Sequence, residues 1–138
     1  SITQSWIRHS AIKKLFEYLA DSNYTVLITT DHGSIKVDTP TKVIGDKNTN
    51  TNLRYKLGKA LNYSGKDVFE IKNPAKAFLP QPNLSTSYIF ATGNKFFAYP
   101  NNYNYYVSYY KDTFQHGGIS MEEMLIPFIT MKPKNNRQ

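Results

Sequence analysis

Apolar side chains at Ile12, Leu15, Phe16 and Leu19 recur at the spacing of one helical face, with Lys13, Lys14 and Glu17 on the other side. Ser10 stands where an N-cap belongs, and Trp6 and Ile7 fit a preceding helical turn. Asp21-Ser22-Asn23 breaks the pattern. From Tyr24 to Thr30 the chain is rich in β-branched residues and barely alternates, which predicts a strand covered on both faces in the middle of an α/β sheet. Short strands are expected over Ile35–Val37 and Thr41–Ile44, followed by a polar loop from Gly45 to Asn52. Leu53, Leu57, Ala60 and Leu61 are again helically spaced, with Arg54, Lys56 and Lys59 outside that stripe. Asp67–Ile71 reads as a weak strand, and Pro74, Pro80 and Pro82 impose an irregular stretch. Ser87–Ala91 and Lys95–Tyr99 flank Thr92-Gly93-Asn94 as an expected hairpin, and Tyr103–Tyr110 reads as a strand or an aromatic loop. Ser120-Met121-Glu122-Glu123 has the capping-box form and predicts a short helix stopped by Pro127. Phe128–Met131 closes as a strand before a solvated tail, Lys132–Gln138.

Helix, buried strand, helix and later hairpins together predict an α/β fold. With 138 residues the chain is one domain, residues 1–138, and 40% hydrophobic composition is enough to build a core. The absence of Cys excludes disulfide frameworks, thiolate metal sites and cysteine nucleophiles. No apolar run approaches the ~20 residues that span a bilayer. No leader opens the chain, which predicts a cytoplasmic setting without membrane partners. The start at Ser1, directly before an amphipathic pattern, reads as a piece excised from a longer protein. Seventeen Lys and Arg against ten Asp and Glu give a formal charge of +7, which favours anionic partners without choosing among phosphate esters, nucleic acid or acidic lipid.

Candidate chemistry concentrates at two places. Asp31-His32-Gly33 ends the expected buried strand, where α/β sheets usually place ligands. A carboxylate beside an imidazole offers oxygen and nitrogen donors that suit zinc or manganese, though the same tripeptide also serves as a plain strand-ending turn. His116 precedes Gly117-Gly118 and the capped helix, so its ring can project into a cleft, or the segment is an ordinary glycine-rich loop. His9 has no neighbouring carboxylate or glycine turn and reads as structural or surface. Asp38, Asp46 and Asp112 have no spacing that singles them out. No nucleophile elbow, phosphate-binding P-loop, dinucleotide fingerprint or HExxH helix is present.

TTDHG after a strand and FQHGGISMEEMLIP near the C-terminus, together with SITQSWIRHS, VIGDKNTNTNLRYKLGKAL and YPNNYNYYVSYYKDTFQHGG, resemble the PglZ domain of the alkaline phosphatase superfamily. The likeness is greatest to PorX-type response regulators linked to type IX secretion. It implies the C-terminal portion of an alkaline-phosphatase-like sheet flanked by helices, with a hairpin-rich second half. It also implies a phosphodiesterase or phosphatase with two divalent ions, normally zinc. Carried over, Asp31 and His32 bind one metal and His116 the other. The nucleophile and the remaining ligands are expected upstream, so the fragment alone is expected to be inactive. Phosphate ester or oligonucleotide is the implied substrate. The upstream part of the domain, a receiver domain and a second copy in a homodimer are the implied partners. Arg54 and Lys56 are candidates for holding substrate phosphate, Arg because its fork matches two oxygens, with a solvated helix face as the alternative. Tyr103, Tyr105 and Tyr106 either stack on bases or pack on a sheet. Two other functions stay open: an interaction module with a structural or inactive metal site, and a basic single-strand nucleic-acid binder.

Overall fold

A computed structural model describes residues 1–133, which form a mixed α/β structure of two compact units. Ser1–Asp31 and the chain from Pro127 on form one unit, and His32–Ile126 the other. In chain order the elements are α1 (Ile2–His9), α2 (Ala11–Asp21), β1 (Val26–Thr29), β2 (Ile35–Lys36), β3 (Thr39–Ile44) and β4 (Tyr55–Gly58). They continue with β5 (Asn62–Tyr63), β6 (Val68–Ile71), a 3₁₀ turn (Pro74–Ala77), β7 (Ser87–Ala91) and β8 (Lys95–Ala98). The chain ends with α3 (Tyr103–Tyr110), β9 (Phe114–Gln115), α4 (Met121–Met124) and β10 (Phe128–Met131). Among the described residues no helix is long and apolar enough to cross a membrane. The tail expected over Lys132–Gln138 lies outside the described residues from position 134 on.

In the first unit, α1 is capped by Ser1, whose side chain accepts the Gln4 N–H, and α2 starts after Ser10 as its spacing predicts. β1 pairs antiparallel with β10, Val26 opposite Met131 and Thr29 opposite Phe128. Thr29 Oγ1 donates to the Pro127 carbonyl at 2.8 Å. The expectation of a strand covered on both faces is corrected here: β1 alternates half-buried and exposed positions, and Leu27 is 59% exposed.

The second unit holds two three-stranded sheets, β5-β3-β8 and β4-β7-β6, and the short pair β2-β9. Its doubly covered strand is β8. Successive strand residues face opposite ways, so Phe96 packs with Ile35, Val37 and Ala98, while Phe97 packs with Val43, Ile89 and Ala91. β3 runs parallel to β8, Thr41 opposite Phe97, and Asn94 locks the start of that pairing by accepting the Asp38 N–H through its carbonyl.

Three local expectations differ from the structure. β7 and β8 do not pair as a hairpin but belong to different sheets. The segment Leu53-Arg54 is spliced beside both, its carbonyls accepting N–H groups from Phe97 and Ala91, and Gly93 at φ 53° turns the corner. The helical spacing of Leu53, Leu57, Ala60 and Leu61 does not give a helix: Leu57 lies in β4, Leu53 just before it, and Ala60 and Leu61 in the turn to β5. Asn52 Oδ1 accepts the N–H groups of Arg54 and Tyr55, and Asn50 Oδ1 accepts that of Leu57, so side chains offer the backbone an alternative to a helix. Finally, Tyr103–Tyr110 is α3, with Tyr103, Val107 and Tyr110 packed on the Phe96 cluster.

Candidate metal centre

Two short elements bring the site together. β2 and β9 pair antiparallel, Ile35 opposite Gln115, so the residues just before β2 and just after β9 emerge on neighbouring tracks. His32 and His116 occupy those positions. Their rings stack with centroids 3.8 Å apart and planes 11° from parallel, and both residues are exposed.

Each histidine is held by its backbone. Gly33 donates its N–H to the Glu123 carbonyl at 2.9 Å. A Cβ on Gly33 would lie 2.0 Å from the Glu122 carbonyl oxygen, so only glycine allows α4 to approach the His32 turn this closely. On the other side, Asn52 Nδ2 donates to the His116 carbonyl at 3.3 Å. Gly117 adopts φ 99°, a conformation open to glycine.

The centre of this scaffold is Glu123, which sequence reasoning placed only in a capping box. Its carboxylate accepts the Gly118 N–H at 2.9 Å and the Ser120 N–H at 3.2 Å, fixing the loop that follows His116. It also takes two parallel bonds from Arg54, Nε to Oε1 and Nη2 to Oε2, both at 2.9 Å. Both side chains of the pair are essentially inaccessible, at 0% and 1% exposure. Burial acts to raise the Glu123 pKa, but the bonds from Arg54, Ser120 and Gly118 outweigh it and hold the carboxyl below the usual range.

Arg54 therefore does not stand where the phosphate-holding role would need it. Its guanidinium is fully buried and engaged with Glu123 and the Lys95 carbonyl. The charged member of the pair that could have signalled this role is the Glu of the capping box, since a buried acid at N3 demands a cation. Lys56 is not brought to the histidines either: it lines a separate cavity that neither His32 nor His116 borders. Tyr103 packs in the core cluster, whereas Tyr105 remains exposed and stacks on Tyr109 at 6.1 Å. His9 lies on α1, its Nδ1 donating to the Ser5 carbonyl at 2.8 Å. Asp31 is an exposed residue that ends the first unit.

The imidazoles fit a metal in donor type. His32 Nδ1 lies 2.7 Å from the Gly33 carbonyl oxygen, which can only accept, so this bond orients the ring through Nδ1. Imidazole nitrogen is a donor type that suits a borderline cation such as zinc. In number they fall short. Among the described residues no three His, Cys, Asp or Glu side chains gather closely enough to hold an ion.

A mixed α/β structure of small sheets and four helices is consistent with a fragment of an alkaline-phosphatase-like protein. The model of the PglZ family, described as the BREX system PglZ alkaline phosphatase-like domain, matches residues 6–131. The chain belongs to that family, within a superfamily of phosphatase and phosphodiesterase type that is typically metal-dependent. No curated protein matches it.

Proposed function

We propose that this chain supplies Asp31, His32 and His116 to a two-zinc site for phosphodiester or phosphomonoester hydrolysis, with oligonucleotides as a substrate class. The observation that carries the reading is the convergence of His32 and His116, remote in sequence, to a ring separation of 3.8 Å. Asp31 and His32 would hold one ion and His116 the other. Such ions, when bound, acidify an attacking hydroxyl and stabilise the leaving oxygen. The chain's own part is positioning. The Gly33 carbonyl orients the His32 ring, and the Glu123 carboxylate holds the loop that carries His116. The formal charge of +7 favours an anionic substrate. By resemblance the reading extends to a cytoplasmic, dimerising response regulator of PorX type with a receiver domain, the nucleophile and remaining ligands coming from elsewhere in the protein.

In the full-length protein, His32→Ala and His116→Ala should each abolish hydrolysis of bis-(p-nitrophenyl) phosphate and lower the bound zinc measured by elemental analysis. Full activity and full zinc in both variants would overturn the proposal. A second reading is an interaction module without turnover. Zinc retention with no hydrolysis by the wild-type protein would select it.

A further inference from the structure

Between the β3–β8 face, the polar loop after β3 and the start of α3 lies a cavity of about 390 Å³, within the range of small-molecule sites. Val43, Leu53, Phe97 and the rings of Tyr106 and Tyr110 give it an apolar, aromatic wall. Lys56 supplies a cation to its lining. The side chain is half-buried. Lys56 Nζ donates to the Asn50 carbonyl at 2.7 Å and forms no ion pair with any described carboxylate. An ammonium has three donors, so this one has capacity left in a partly dehydrated place. A partly dehydrated cation without a counter-ion beside an apolar wall favours an anion there.

We infer that this cavity is a binding site for a small organic anion, a planar aromatic ring system bearing one sulfonate, carboxylate or phosphate group. The ring lies against Leu53, Phe97 and Tyr106, and the anionic group accepts from Lys56 Nζ. The inference does not depend on the metal centre, because neither His32 nor His116 lines the cavity. Burial pulls the Lys56 pKa down to about 8, so its charge is lost within an accessible range of pH. The other titratable groups lining the cavity are Asp46, Tyr99, Tyr106 and Tyr110. Asp46 Oδ1 is engaged by the Asn48 N–H.

The test uses the 138-residue chain and two fluorescent probes, 8-anilinonaphthalene-1-sulfonate and its uncharged analogue N-phenyl-1-naphthylamine. Lys56→Gln should weaken the sulfonate probe about tenfold or more at neutral pH while changing the uncharged probe less than about twofold. Wild-type affinity for the sulfonate should fall about tenfold or more from about pH 7 to about pH 9.5, and Lys56→Arg, which stays charged, should abolish that fall. Equal loss of both probes in Lys56→Gln, or an unchanged pH profile in Lys56→Arg, would overturn the inference. The Arg variant keeps the test decisive should the Gln variant fail to fold.

Discussion

The two units of this chain differ in how their apolar residues are used. Among the described residues, every buried hydrophobic side chain, from Ile35 to Ala98, belongs to the unit His32–Ile126, as do the buried Arg54 and Glu123. In the other unit α1 and α2 contain no buried residue, and Leu15, Leu27 and Phe128 are exposed. The same helical and strand patterns therefore carry different energetic weight. Periodicity marks which face is apolar; burial decides whether that face stabilises anything. The histidine pair sits on the well-packed unit, which gives its geometry a rigid support.

The comparison is broken most directly at the buried ion pair. Removing one partner, Arg54→Ala or Glu123→Ala, should cost about 3–5 kcal/mol in denaturant unfolding, because the other charge is left buried and alone. Replacing both with apolar residues should cost much less. The pair also sets an acid limit. Glu123 is held below its ordinary value of 4.5, so below that value the unfolded chain binds more protons than the folded one. Stability should then fall as pH drops from about 4.5 through the folded pKa, and Glu123→Gln should flatten that decline. An unchanged acid profile would mean that Glu123 is not the titrating support described here.

A pair of truncations then sharpens the contrast between units. Phe96→Ala opens the doubly covered strand β8 and should cost about 3–5 kcal/mol. Leu15→Ala, on a helix face 51% exposed, should cost less than about 1 kcal/mol. Comparable losses at the two positions, measured by thermal or denaturant unfolding, would erase the distinction.

Much of the local setting of the candidate residues was legible because its signals are local. Asp31-His32-Gly33 ends a strand and His116 stands before two glycines and a capped helix, all readable as turn chemistry. What brings the histidines together was not legible: a pairing only two residues long, β2 with β9. Arg54 was misread because Leu53, Leu57 and Leu61 mimic a helical stripe, while the decision for strand came from the side chains of Asn50 and Asn52. Helix α3 was hidden by the strand preference of tyrosine. The spacing of Tyr103, Val107 and Tyr110 nevertheless fits one helical face, and that is the face packed on the core. The doubly covered strand was assigned to the β-branched run before Asp31, whereas adjacent large residues, Phe96 and Phe97, marked the true one.

The central claim is that His32 and His116 both belong to the metal site. Following the imidazole ¹⁵N resonances of the full-length protein during a zinc titration tests it most directly. The account predicts that the His32 and His116 signals both move on addition of zinc while His9 stays in place. Movement of only one of the two, or of neither, would contradict it.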